Sequence, residues 1–586
     1  MLNTRIKIVK LLALILVAIL FLTSCNHTSA PSGEITGATS DEPTESESGT
    51  VSEPGEEKKE MIRLFKEGST DYTIINGMTT VSANAMVRNF AENLKAKTGV
   101  ELTIGSPDTA KADAEFLIGK ITTREESQKI YETMPYSAYS IRIVGKKICF
   151  NSYSEFMLDK MLKLFVEALT PMADGGWGIA ADYRLERDLS TVTAAVPTFS
   201  AGTDRLRGVT SCGEGNYMAT FEKISSGEYQ NYTALLKSNG YTLYASNELA
   251  GNQFCTWLKG QTQINLSWYP SKKIFKLIYG EKAYLPALEQ PATEAVCTPS
   301  ITQLGRKAVD ESAPNGAPGM SYVIQLSNGS YIIIDGGPVD SEGKDVQQLL
   351  DFLIEHKPEN VGKPQIAAWF ITHAHIDHTQ LASEFLKQHH DKVDLLMTAY
   401  NFPDFSTTTI THESASGMGA QASSFKTLVR AHFRGAQNLI LHTGQKFWIG
   451  DARIEVLYTP EDFAPVQFPW GNHTSCAFRI TLGGKSIMIL GDCEKELCQF
   501  MADVYGNTLK SDILQCSHHG VNGACLDLYR AIDPDICFWA IDEGRFLTHS
   551  QIRGDSAFDF NKWILNNSVK SRKHYHASAT TTIFLD

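Results

Sequence analysis

The feature that most constrains this chain is a strand-like apolar run, Ile366 to Ile371, that runs straight into Thr372-His373-Ala374-His375-Ile376-Asp377-His378-Thr379. In an extended chain side chains alternate with period two, so His373 and His375 point the same way and two imidazoles can grip one cation. Asp377 and His378 follow where the chain can turn into a helix, so a carboxylate and a third imidazole can face a second cation. A lone histidine is usually structural, but four ligand-type residues within six positions at a strand end are hard to explain as packing. The histidine distribution agrees: of 16 histidines, 15 lie at or after His356.

At 586 residues the chain has room for about three to four domains of roughly 150 residues. Its 42% hydrophobic, 20% charged and 10% aromatic content is that of globular protein, which excludes a wholly disordered chain and a polytopic membrane protein. A net charge of −13 offers no broad cationic surface, so no stable nucleic-acid complex is expected. Arg5, Lys7 and Lys10 precede the apolar run Leu11 to Leu22, too short to span a bilayer comfortably and laid out as a secretory signal. The following Leu22-Thr23-Ser24-Cys25 resembles the bacterial lipoprotein cleavage box, which implies a lipidated Cys25 as the mature first residue and a cell-membrane location, lipid-anchored on the extracytoplasmic face. An ordinary signal peptide and an uncleaved anchor are the alternatives.

The expected division is therefore a signal peptide at 1–24 and a disordered acidic linker at 25–61, too poor in large apolar side chains to offset chain entropy. A small α/β accessory domain follows at 62–190, with a helix near Ala83 to Lys97 and an amphipathic one over Glu155 to Leu169. Residues 191–297 should form a small α+β or β-rich domain. Aromatic runs there, such as Gln263 to Trp268 and Ile274 to Tyr279, read as core, although exposed members could meet a cell-surface glycan. The ten cysteines after Cys25 show no paired metal-ligand spacing and read as buried free thiols.

From about 298 the pattern changes. Ser321 to Leu326 and Tyr331 to Ile334 flank Ser327-Asn328-Gly329-Ser330, the turn chemistry of a β-hairpin, and the second strand runs into Asp335-Gly336-Gly337. Lys344 to His356 has helix period. A strand ending in Asp-Gly-Gly, then HxHxDH after an apolar strand, resembles the metallo-β-lactamase superfamily of binuclear metallohydrolases over roughly residues 298–586. The resemblance implies a four-layer αββα sandwich, making the chain α/β overall.

It also implies site roles. Asp335 would orient a histidine ligand without touching metal, the alternative being a simple turn aspartate. Asp492, in Leu490-Gly491-Asp492 after the strand Ser486 to Leu490, matches the aspartate that bridges both metals. His518 and His519, before Gly520, match the last histidine ligand. One of the two suffices as ligand and the other could contact substrate or donate a proton; His518 is taken as the ligand and His519 as the catalytic residue, although sequence does not choose between them. Where many members carry a GlyHisThr-type loop, this chain has Trp470-Gly471-Asn472-His473-Thr474-Ser475, more like the Asn-x-x-Ser loop of the hydrolase domain in competence-type DNA-uptake proteins. His473 is the candidate for the remaining ligand. His373, His375 and His473 would then hold one metal; Asp377, His378, Asp492 and one of His518 or His519 would hold the other. Asp377, Asp492 and His519 carry the catalytic assignments.

The implied mechanism is hydrolysis by metal-bound hydroxide, since a zinc-type cation lowers the pKa of bound water from about 15.7 to near 7. Zn is favoured for the two divalent ions, and Mn or Fe also suit nitrogen and oxygen ligands. The Asn-x-x-Ser and His-His-Gly variant points to a phosphodiester in nucleic acid or a phosphate-bearing surface polymer. Lactone, thioester or β-lactam hydrolysis by the same centre is the close rival. A glycan-binding or cell-wall-binding lipoprotein with a weakly active hydrolase scaffold is the reading from another class.

Overall fold

Ile332, Ile333 and Ile334 are all fully buried in the strand Tyr331–Asp335, so this strand has no solvent face and needs a layer on each side. The computed structural model describes residues 60–586 apart from 79–80, 135–137, 153–154, 174, 189–195, 200–204, 214, 306–319, 341, 407, 409 and 465–467. Two sheets stack in its C-terminal part. One runs Gln437–Ile440, Met397–Tyr400, Gln365–Phe370, Tyr331–Asp335, Ser321–Gln325, Ser300–Gln303, Thr581–Phe584. The other runs Lys446–Ile449, Ala452–Tyr458, Ala477–Leu482, Lys485–Ile489, Ile513–Gln515, Ile536–Trp539, Lys573–His576.

Period-two alternation supplies the layers. In the strand Gln365–Phe370, Ala368 and Phe370 join Phe478, Ile487 and Phe538 in one core that draws on both sheets. Trp369 turns the other way, into a core with Leu349 and Leu353 of the helix Lys344–His356 and Phe385 of the helix Ile376–His389. A third core joins Met488 and Trp539 to Leu497 and Met501 of the helix Lys495–Tyr505. Val346, Leu349, Leu350 and Leu353 show why Lys344–His356 is helical: their spacing makes one apolar stripe. The result is the αββα sandwich expected from sequence.

Connections between parallel strands decide where the motifs fall. Tyr331–Asp335 pairs in parallel with Gln365–Phe370, and Lys485–Ile489 with Ile513–Gln515. Parallel strands end at the same edge of a sheet, so Asp335 lies beside the chain entering Thr372–His378, and Asp492 beside the chain entering His518–His519.

Ahead of the sandwich, a mixed sheet runs Ile104–Gly105, Thr73–Asn76, Glu115–Ile118, Lys147–Ser152, Ala138–Val144, Arg184–Asp188 and packs the helices Val81–Thr98 and Glu155–Ala168. Next comes a six-stranded antiparallel sheet spanning Leu206–Gly213 to Ile274–Glu281, with the helix Ser226–Ser238 packed through Tyr229, Tyr232 and Leu236 onto Leu266, Trp268, Phe275 and Leu277. These aromatics are core, as their strand spacing suggested. The helix starts at a capping box in which Ser225 and Glu228 satisfy each other's backbone N–H.

This antiparallel sheet also grips the sandwich. The buried Lys276 ammonium donates to the carbonyls of Glu461 and Ala464, and Tyr269 Oη donates to Asp462 Oδ1 at 2.6 Å. All ten cysteines among the described residues are free thiols, eight of them buried. Among the described residues no helix is long and apolar enough to cross a membrane; the run Leu11 to Leu22, Cys25 and the linker up to residue 59 lie outside them.

A buried ion pair joins the strand Glu115–Ile118 of the mixed sheet ahead of the sandwich to the start of the helix Glu125–Thr133. Arg124 Nη2 meets Glu115 Oε1 at 2.7 Å with 1% and 0% of the two side chains exposed, and Lys147 Nζ lies 3.2 Å from Glu115 Oε2. Removing Arg124 takes three hydrogen bonds from the buried Glu115 carboxylate and leaves it Lys147 and the Ala112 N–H. Arg124→Met should therefore destabilise this part by about 3–5 kcal/mol in urea unfolding, and Arg124→Met with Glu115→Leu should recover most of that loss.

Candidate metal centre

The site begins with Asp335, whose backbone sits at φ 55°, in the left-handed region that aspartate tolerates better than most residues. Gly336 follows for a steric reason: a Cβ there would lie 2.6 Å from the Ala382 nitrogen, so only glycine lets the loop approach the helix Ile376–His389. Asp335 Oδ1 accepts from the Thr372 backbone N–H at 2.7 Å. Its Oδ2 accepts from Thr372 Oγ1 and from His378 Nδ1, each at 2.7 Å. With Nδ1 donating to Asp335, His378 Nε2 is turned toward the cluster and lies 3.3 Å from Asp492 Oδ2.

Two groups of ligand atoms result, each with its members within 4.8 Å of one another: Asp377, His378, Asp492 and His519, and His373, His375 and Asp492. Asp492 is common to both. His373 Nε2 faces His375 Nδ1 at 2.9 Å, while His519 Nε2 lies 3.1 Å from Asp377 Oδ2 and 3.3 Å from Asp492 Oδ2. Asp492 Oδ1 is buried without a hydrogen bond, as is His378 Nε2. Buried polar atoms of this kind need a partner, and converging imidazole and carboxylate donors suit a divalent cation.

The electrostatics point the same way. Burial disfavours a charge on His378, yet Asp492, Asp335 and Asp377 outweigh it and hold the imidazole well above its ordinary pKa. His519, opposed by burial but beside Asp492 and Asp377, is pushed up to about 9. Burial, together with His378 and His375, drives His373 well below its ordinary value. Asp492, despite burial, is held well below the usual carboxylate range by His378, His519 and His518. The carboxylates Asp377 and Asp492 thus dominate the field felt by His378 and His519, while burial dominates at His373.

Most residues picked out from sequence converge here, with two differences. His473 joins neither group: the 3₁₀ turn Gly471–Thr474 aims it at Phe463, ring centroids 5.1 Å apart, with Nε2 3.3 Å from Glu496. His519, given the catalytic role from sequence, is the member of the pair that falls in a candidate ligand group, and His518 is not. His518 stands at the margin, Nδ1 3.2 Å from Glu494 Oε1 and Nε2 3.8 Å from Asp492 Oδ2. Both carry positive φ, so the backbone swings the two rings apart. Cys493 is buried in the helix-side core of the second sheet, as packing required.

Glu413 carried no sequence signal, whereas the other supports of the cluster come from the Asn-x-x-Ser loop. Glu413 Oε2 accepts from His375 Nε2 at 2.7 Å while its Oε1 accepts from the Gly471 N–H at 3.0 Å. A Cβ on Gly471 would lie 2.3 Å from His375 Nε2, so this glycine and Glu413 together form the socket of that ring. Asn472 Nδ2 donates to Glu494 Oε1 at 3.0 Å, and Ser475 Oγ accepts from the Asp492 N–H at 3.2 Å.

Residues 314–540 match the family model described as the Metallo-beta-lactamase superfamily, so this part of the chain is a domain of that superfamily, a family of metal-dependent hydrolases that bind divalent metals. Among solved structures, the metallo-beta-lactamase fold protein YhfI from Bacillus subtilis is similar at 15% identity, over 49% of this chain and 99% of its own, with a TM-score of 0.30. Zn(2+)-bound PqqB from Methylobacterium extorquens is 14% identical over 49% and 100%, TM-score 0.29. CmlA, a diiron beta-hydroxylase from Streptomyces venezuelae, is 12% identical over 51% and 55%, TM-score 0.29. No curated protein sequence matches the chain.

Glu413 gives a direct test of the His373/His375 group. Glu413→Gln removes the anion behind His375, and Gly471→Ala pushes on the same ring. Each should weaken divalent metal held at His373 and His375 about 10–100-fold in a chelator-competition titration.

Proposed function

We propose that this protein is a membrane-anchored, extracytoplasmic binuclear metallohydrolase that cleaves a phosphodiester, in nucleic acid or in a phosphate-bearing surface polymer. The observation that carries the binuclear reading is the sharing of Asp492 between two ligand groups. His373, His375 and Asp492 would hold one ion; Asp377, His378, Asp492 and His519 would hold the other. Zn is favoured, with Mn or Fe compatible with the same donors. When bound, such ions lower the pKa of water to near neutrality and stabilise negative charge developing on ester or phosphoryl oxygens.

The chain's own residues supply position. Asp335 and Thr372 fix the ring of His378, and Glu413 with Gly471 fixes that of His375. His518 is 23% exposed at the margin of the cluster and held by Glu494, which suits it to hydrogen-bond a substrate oxygen. The phosphodiester assignment draws its support from Asn472-His473-Thr474-Ser475 and His518-His519-Gly520, and the lipid anchor from Leu22 to Cys25. An anchored enzyme with a short acidic tether would work within a few tens of ångströms of the membrane, at roughly 5–6 Å times the square root of the linker length.

Purified protein should bind two equivalents of metal and turn over bis(4-nitrophenyl) phosphate. Asp492→Ala should lower both metal equivalents' affinity and reduce turnover at least about a thousandfold, since it removes a donor from both groups. Metal binding with no turnover on phosphodiester, lactone or thioester panels would sink the enzyme reading in favour of a binding scaffold. Turnover confined to lactones or thioesters would move the substrate class.

A further inference from the structure

Two short segments meet at the rim of the cluster. Ile410 bridges Phe468, the Thr411 N–H donates to the Phe468 carbonyl at 2.9 Å, and the His412 N–H donates to the Pro469 carbonyl at 3.1 Å. The base of this pairing is anchored, because Ile410 and Phe468 are buried in the core over the first sheet. Its tip is exposed. There the rings of His412 and Trp470 lie 4.6 Å apart at 32°, and Trp470 remains 45% exposed.

What lies immediately behind the tip gives it meaning. The next residues along the two segments, Glu413 and Gly471, are the pair that cradles His375. Ile376, the residue after His375, is also exposed, at 51%. Large apolar side chains left open to water next to a buried polar cluster indicate a contact surface. The anchoring of the two segments is done two residues earlier, by Ile410 and Phe468, and the ring pair stands beyond it at the exposed tip.

We infer that the His412–Trp470 pair is a substrate subsite that stacks on a flat-faced ring carried by the phosphate ester, next to the bond to be cleaved. This deepens the phosphodiester reading above and rests on it. An indole face accepts either an aromatic base or the apolar face of a sugar by stacking, and neither requires a charged partner. The subsite would therefore select phosphodiesters with a ring attached over linear alkyl ones, and do so through binding.

The test is isothermal titration of the metal-loaded full chain with three probes: uridine 5′-monophosphate, glucose 1-phosphate and inorganic phosphate. A ring-bearing phosphate should bind about tenfold more tightly than inorganic phosphate, the scale of one stacking contact. The uridine arm reports an aromatic ring and the glucose arm a sugar. Trp470→Ala should erase the advantage while leaving inorganic phosphate and metal content unchanged, Trp470→Phe should keep most of it, and His412→Ala should lose part. Equal affinity for all three probes, or an advantage that survives Trp470→Ala, overturns the subsite. If none of the probes binds, inorganic phosphate included, the phosphodiester reading itself falls and takes the subsite with it.

Discussion

One buried carboxylate ties the catalytic edge together. Asp335 is fully buried, and burial raises its pKa although His378 and Thr372 favour the charged form. A desolvated carboxylate costs several kcal/mol unless its oxygens are satisfied. Here three donors converge on it: the Thr372 N–H, the Thr372 hydroxyl and His378 Nδ1. That satisfaction joins the end of one strand to the exit of its parallel neighbour and to the first turn of the following helix. The orientation of the His378 ring, and with it the direction in which Nε2 faces Asp492, depends on this junction.

The antiparallel sheet ahead of the sandwich reaches the same edge by a longer route. Lys276 and Tyr269 hold residues 461–464, and Phe463 of that segment stacks on Phe468 and packs against His473. Phe468 begins the stretch that delivers Trp470, Gly471 and Asn472. A buried lysine whose pKa is lowered by burial is an expensive fastener, so its bonds to two loop carbonyls make the sheet a brace for that stretch. Its aromatic runs, buried against the helix Ser226–Ser238, leave this bracing contact as its visible link to the chemistry.

How legible each part was depends on how local its cause is. The hairpin, the helix Lys344–His356 and the strand before Thr372 follow from turn chemistry and apolar period, which neighbours in sequence determine. His373, His375, Asp377 and His378 belong together because they are consecutive at a strand end. His473 was drawn toward a ligand role by its place in a loop motif, but the tight 3₁₀ turn, closed by Thr474 Oγ1 donating to the Gly471 carbonyl at 2.7 Å, rotates it toward Phe463. Between His518 and His519 no sequence pattern could decide, since the choice lies in two positive φ angles that a turn imposes. Glu413 has no local signature, being an ordinary glutamate 38 residues from the ring it holds.

By itself, then, the sequence determined the alternation of buried strands and striped helices and the cluster of imidazoles and carboxylates that ends one strand, because those depend on side chains within a few residues of one another. Only the tertiary structure decided which distant groups share an ion site, which histidine turns away, and that Glu413 and Trp470 stand at the rim. Those outcomes depend on parallel strands ending at a common edge and on backbone angles within loops, and neither leaves a periodic trace in the order of amino acids.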